Sequence, residues 1–133
     1  MMPSRVHHAP SADDIEALAR QALDAIPAML RSYVGDVIFR VQDFADDETL
    51  NAMGIESPFD LLGLYHGVSI DRQSTAAVRQ DVDMIFLYRR PILDYWCETG
   101  ESLADVVRHL VIHEVGHHFG FSDEDMHRIE DGA

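Results

Sequence analysis

The chain has one cysteine in 133 residues, Cys97, so an internal disulfide is excluded. That usage suits a reducing cytoplasm. Positive charge is scarce: 10 Lys and Arg stand against 24 Asp and Glu, for a net charge of −14. Nucleic-acid binding needs clustered cations to replace phosphate counterions, and docking on anionic bilayers needs the same, so neither is an expected partner. No apolar run approaches the roughly 20 residues that span a bilayer. The segment Met1–His8 lacks the apolar centre of an export signal, so the expected location is the cytoplasm. Internal repeats and low-complexity tracts are missing too. The acidic excess reads as a well-solvated surface that favours solubility.

Apolar residues make up 47% of the chain, enough for one hydrophobic core but not for two at this length. The expected organisation is a flexible tail over residues 1–10 and a single domain over residues 11–133. Cys97 follows Trp96 in an apolar-aromatic stretch, which predicts a buried packing thiol and not a nucleophile.

The pattern along the domain predicts an α+β fold. Ser11 can cap a helix with Asp13, Asp14 and Glu16 in its first turn. Ile15, Leu18, Ala19, Ala22, Leu23 and Ile26 would form its apolar face, and Pro27 kinks it or makes it stop and restart before Gly35. Val37–Phe44 predicts a strand, and Asp46-Asp47-Glu48 opens a short helix to Met53. After a loop from Gly54 to Pro58, Leu61–His66 predicts a second strand, with Gly67 allowing a turn or bulge. Asp71–Asp81 is polar and predicts a loop. Asp83–Tyr88 is the strongest strand candidate. Pro91 can start a helix to Glu98, Ser102 caps a longer one, and a last short helix runs from about Ser122 to Ile129. This order suits a small mixed sheet backed by helices.

The helix opened by Ser102 carries the chemistry. Leu103, Val106, Val107, Leu110 and Val111 follow helical spacing and lead into His113-Glu114-Val115-Gly116-His117. Residues four apart lie about 40° apart on a helix, so His113 and His117 can grip one metal ion, most often Zn²⁺. Glu114, beside the first ligand, is placed to act as general base toward water on that ion. Gly120 lets the chain turn, and Asp123 can return an oxygen as third ligand. Three protein ligands with one open position are the mark of a catalytic zinc site. On an ideal wheel Glu114 and His117 fall within the apolar arc of Leu103, Val107 and Leu110. A carboxylate there is costly unless it is paired or hydrogen-bonded. His118 lies about 100° from His117 and is expected to pack or to support a ligand. His109 and His127 are expected to be exposed.

With the motif H-E-x-x-H-x-x-G-x-x-D formed by His113, Glu114, His117, Gly120 and Asp123, the chain resembles the bacterial zincin-like metallopeptidases, sometimes called minimal metalloproteases. The segments Leu61–Val68 and Ile85–Ile92 are similar as well, so the likeness runs from about residue 35 to about residue 127. The resemblance implies a compact zincin-like core with its motif helix near the C-terminus, one zinc ion and peptide-bond hydrolysis on a peptide or protein substrate. It also implies an edge strand above the metal that pairs with an extended peptide. Either Leu64–Ile70 or Ile85–Tyr88 could be that edge. The larger metzincins place a histidine at the third ligand and a methionine turn well downstream. Here the third position is Asp123, and Met126, the only later methionine, stands too close to be that turn in its usual form.

Tyr65, His66 and Tyr88 are candidate donors to the oxyanion of such a reaction. Two other readings use the same residues. One is a zincin scaffold that binds a partner without turnover. The other is a metal-dependent endoribonuclease, because bacterial rRNA-maturation enzymes carry H-x-x-x-H-x-x-G-x-x-H on a helix; Glu114 and the acidic balance oppose it.

Overall fold

The computed structural model describes residues 8–67 and 83–132, with the side chains of residues 123 and 129–132 outside that description. Most of the expected tail and all of the expected 71–81 loop therefore lie outside the described residues.

Helix α1 (Ala12–Asp24) opens on Ser11 with a complete capping box: the Asp14 amide donates to Ser11 Oγ, and the Ser11 amide donates to Asp14 Oδ2. Pro27 stops it, and a single turn, α2 (Ala28–Arg31), restarts. Strand β1 (Val37–Gln42) follows, then α3 (Asp47–Met53), capped by Asp46 and closed by the left-handed Gly54. A 3₁₀ turn at Pro58–Asp60 leads to β2 (Gly63–His66). Strand β3 (Asp83–Tyr88) runs straight into α4 (Arg89–Thr99). That helix begins two residues before the expected Pro91. A proline fits in the first turn, where its missing N–H would have had no acceptor within the helix. Helices α5 (Leu103–His118) and α6 (Asp123–Gly132) complete the chain.

Among the described residues three strands form one mixed sheet in the order β1-β3-β2, with β1 parallel and β2 antiparallel to β3, so β2 is an edge of the described sheet. The fold is thus α+β, as the pattern predicts. Ile85–Tyr88 sits in the central strand, so of the two candidate edges only the Leu64–Ile70 segment contributes, through β2. Residues 68–70 of that segment are not described.

Helix α1 lies against α5 and β1, and α5 also lies against β2. The main core lies between these helices and one sheet face. It includes Ile15, Ala19 and Leu23 of α1, Val37, Phe39, Ile85 and Leu87 of the sheet, and Val107, Val111 and Val115 of α5. A smaller cluster of Ala45, Leu50, Leu61 and Tyr88 covers the other face where α3 packs.

Cys97 is exposed, which corrects the expectation of a buried thiol. Helix α4 turns Pro91 and Ile92 into the core and half-buries Trp96. Cys97 lies about 100° further round and faces outward.

Candidate metal centre

Helix α5 begins at Ser102, whose hydroxyl accepts from the Asp105 amide. It ends in a Schellman motif. Gly120 takes the left-handed conformation at φ 90°, its amide donates to His117 O, and the Phe121 amide reaches back to Gly116 O at 2.9 Å. Ser122 then opens α6 at once: the Asp125 amide donates to Ser122 Oγ, and the Ser122 amide donates to Asp125 Oδ2. The turn between the helices is therefore short and hydrogen-bonded throughout. It folds α6 back on α5, and Met126 is fully buried against Gly116. A side chain at Gly116 would collide with the Met126 thioether, so this glycine sets how closely α6 approaches the motif helix.

On its other flank α5 meets the edge strand through Leu110, Glu114 and His118, which are four residues apart. The side chain of Leu110 sits over Gly63, where an added Cβ would stand 3.4 Å from Leu110 and 3.1 Å from the Phe86 carbonyl. His118 stacks on the Tyr65 ring at 4.0 Å between centroids, a packing role as expected. Between them Glu114 Oε1 accepts a hydrogen bond from the Tyr65 amide at 3.2 Å. The Tyr88 amide donates to Leu62 O across β2 and β3. Alternation along an antiparallel ladder then turns the amides of Gly63 and Tyr65 toward the outer edge of β2. The Glu114 carboxylate thus sits beneath that edge. Burial pushes its pKa above the usual carboxylate value, while the Tyr65 amide and His117 pull the other way.

His113 and His117 come together as the spacing predicts. Their ring centroids are 5.7 Å apart and the planes stand at 82°. His113 is half-buried with Nε2 enclosed, and His117 is exposed. The exposed His117 corrects the wheel reading, which set it in the apolar arc. The buried side of α5 is Val107, Val111, Ile112, Val115 and Gly116, because α1 and α6 cover it. That rotation turns His117 outward and leaves Glu114 at the sheet. Asp123 is the first residue of α6, and its side chain lies outside the described residues.

Zn–N bonds of about 2.0–2.1 Å put each ring centroid about 3.2 Å from the ion, so two imidazoles on one tetrahedral ion stand about 5.2 Å apart. The His113–His117 pair is close to that spacing, and imidazole donors suit zinc. Among the described residues no three His, Cys, Asp or Glu side chains are already gathered at one point.

The profile of zincin-like metallopeptidases matches residues 34–133. The chain belongs to this family. A comparison with curated proteins gave no match. In this zincin-like chain α1 lies before the matched stretch, yet it supplies the apolar wall behind the motif helix.

The candidate oxyanion donors fare differently. The Tyr65 hydroxyl donates to Asp83 Oδ2 at 2.7 Å, and burial with that carboxylate raises its pKa far beyond the usual range, so it is committed to a structural bond. Tyr88 is buried under α3, and burial first, then the charges of Asp46 and Glu114, raise its pKa. His66 is exposed at the end of β2.

Two neighbours of His113 were not expected. His109 and His127 are exposed as predicted, yet their ring centroids lie 4.0 Å and 6.3 Å from that of His113. For His109 the interval of four before His113 was a visible signal. For His127 no spacing along the chain is a signal, because its approach depends on α6 folding back on α5.

Proposed function

We propose that this zincin-like protein is a zinc-dependent peptidase, with His113, His117 and Asp123 as the residues that hold the ion and Glu114 as general base. The observation that carries the reading is the place of Glu114: beneath the outer edge of β2 and next along α5 to His113, whose ring stands 5.7 Å from that of His117. When bound, the ion supplies Lewis acidity to water and to the scissile carbonyl.

The residues of the chain divide the remaining tasks. An extended peptide adds to the outer edge of β2, where the Tyr65 amide is directed. Its carbonyl competes with Glu114 Oε1 for that amide, so the incoming strand loosens the carboxylate from the edge as it docks. Glu114 then accepts a proton from the attacking water and passes it to the leaving amine. The raised pKa brings the group closer to neutrality, which suits both transfers. The substrate is a peptide or protein segment able to extend. The net charge of −14 argues against nucleic acid as substrate and against an anionic membrane as docking surface. No helix of the described residues is long and apolar enough to cross a membrane. A single exposed thiol suits work in the cytoplasm.

Elemental analysis of untagged protein beside His113→Ala, with cleavage of a broad peptide library, tests the reading. Zinc in the wild type, none in the variant, and cleavage stopped by a chelator and restored by zinc are expected. Absence of zinc from the wild type would overturn it. Zinc without any cleavage would instead favour a non-catalytic binding module.

A further inference from the structure

We propose that Leu64 of β2 selects a large apolar side chain in the substrate, and that His66 sets the preference two substrate residues away. The inference rests on the peptidase reading and names the kind of peptide sequence that the site favours.

The ladder assigns the outward groups. Leu64 stands opposite Phe86 of β3 and His66 opposite Met84. The Tyr88 amide donates to Leu62 O, so residues 62, 64 and 66 turn their backbone groups to β3. The backbone groups of Gly63 and Tyr65 point to the outer edge instead. An extended peptide added there bonds to Gly63 and Tyr65, and its side chains alternate between the two sheet faces.

One set of substrate side chains turns toward α5. On that face Tyr65 is buried, stacked on His118 and bonded to Asp83. Gly63 carries no side chain and lies under Leu110. These two positions offer the substrate backbone bonds, but no side chain free to read its sequence.

The other set lies beside Leu64 and His66, on the face away from α5. Leu64 is half-buried and, with Ile55 and Phe86, packs against the cluster of Leu50, Leu61 and Tyr88. The surface that reaches the edge at Leu64 is therefore aliphatic and aromatic. A leucine, isoleucine or phenylalanine of the substrate beside Leu64 extends it by one side chain. In an antiparallel addition Leu64 takes a non-hydrogen-bonded position, where facing side chains come closest. A carboxylate or a glycine there forgoes the contact. His66 is exposed, and its ring stands nearly perpendicular to that of Phe86 at 6.5 Å between centroids. A polar side chain thus follows an apolar one along the same face, so the two substrate positions differ in what they accept. They are two residues apart whichever way the peptide runs.

The test uses the full chain with zinc bound, as wild type, Leu64→Thr, Leu64→Glu and His66→Leu. Threonine keeps the strand preference, and glutamate reverses the chemistry. Position-randomised peptide libraries, sequenced after cleavage, give relative kcat/KM for each residue at each substrate position. The wild type is expected to favour Leu, Ile or Phe over Asp or Gly by about tenfold at one position, the scale of an apolar contact of this size. Leu64→Thr should reduce that preference to about threefold or less, and Leu64→Glu should turn the same position toward Lys and Arg. His66→Leu should leave that position unchanged and create an apolar preference two residues away. Should both Leu64 variants unfold, the exposed His66 still decides, because its new preference must stand two residues from that of the wild type. A profile that no Leu64 substitution alters, or a His66→Leu preference at any other spacing, would overturn the proposal and leave the peptidase reading intact. A zinc-loaded wild type that cleaves no peptide would sink the peptidase reading, and the proposal with it.

Discussion

Met126 fills the space that a side chain on Gly116 would need, and both residues are buried. Gly116 is a variable position of the H-E-x-x-H motif, so its small size comes from packing and not from the chemistry. Met126 stands too soon after Asp123 to form a methionine turn of the usual metzincin kind. It reaches the motif helix from within α6, three residues after Asp123, and packs against Gly116.

Gly116→Ala should therefore destabilise the fold despite the better helix propensity of alanine. Met126 must leave a fully buried position, and overpacking of this kind costs about 1–3 kcal/mol. Shortening the partner should relieve the clash, so the double variant Gly116→Ala/Met126→Ala should be more stable than the sum of its single changes allows. Urea unfolding of the four proteins measures the coupling. Strict additivity would show that α6 does not dock as described.

The Tyr65 hydroxyl makes a second separable prediction. Its bond to Asp83 ties the edge strand to the start of β3. Losing a hydrogen bond to a charged group costs about 1.5–3 kcal/mol, and Tyr65→Phe should lose stability on that scale. Hydrolysis should fall by less than about tenfold, well short of the roughly 10²–10³ that follows removal of an oxyanion donor. A loss of the larger size at unchanged stability would return Tyr65 to the reacting groups.

Much of this architecture was legible before any coordinates. Ser11, Asp46 and Ser102 mark helix starts because a side-chain oxygen must answer a free amide, and all three do so. Gly120 marks the helix end for an equally local reason. The pairing of His113 with His117 needs only the helical repeat. What the local pattern could not supply was partnership across the fold. The centre of the sheet is β3 because β1 and β2 both pair with it, and no spacing along the chain states that. The wheel turned His117 inward because Leu103 and Leu110 outweighed the surfaces that α1 and α6 later cover. Cys97 was misplaced by its aromatic neighbour, for a hydrophobic stretch does not say which side of its helix faces out. The approach of His127 to His113 depends on α6 folding back, a tertiary fact carried by Gly116 and Met126.

Folding lowers carboxyl pKa values at exposed helix starts. Hydrogen bonds from the side chain and backbone of Thr49 hold Asp46 below its usual value of 3.8. The Ser11 backbone and hydroxyl do the same for Asp14. A carboxyl whose pKa is lowered by folding adds stability above its unfolded value and loses it as pH falls through the folded one. The variant Asp14→Asn/Asp46→Asn keeps polar side chains at both positions but removes the charges. Its stability should trail the wild type near neutrality, and the gap should close between about pH 5 and about pH 2. Unfolding curves across that range measure it, and a gap that stays constant would show the caps do not titrate with folding.

Glu114→Gln separates the acid–base role from everything else the residue does. Glutamine has the same shape, and its amide oxygen can still accept from the Tyr65 amide, so the edge strand should stay in place. The native carboxylate is disfavoured by burial, so the metal-free variant should melt no lower than the wild type. His113 and His117 are untouched, and zinc should bind as before. Hydrolysis alone should suffer, by about 10²–10⁴ in kcat, the usual worth of a positioned general base. His117→Ala should do the reverse and lose the ion itself. Measured together, zinc content, melting temperature and kcat distinguish a residue that moves protons from one that holds the strand. If Glu114→Gln cleaved a substrate at the wild-type rate, Glu114 would be only a buried bridge between α5 and β2, and the base would have to be sought elsewhere.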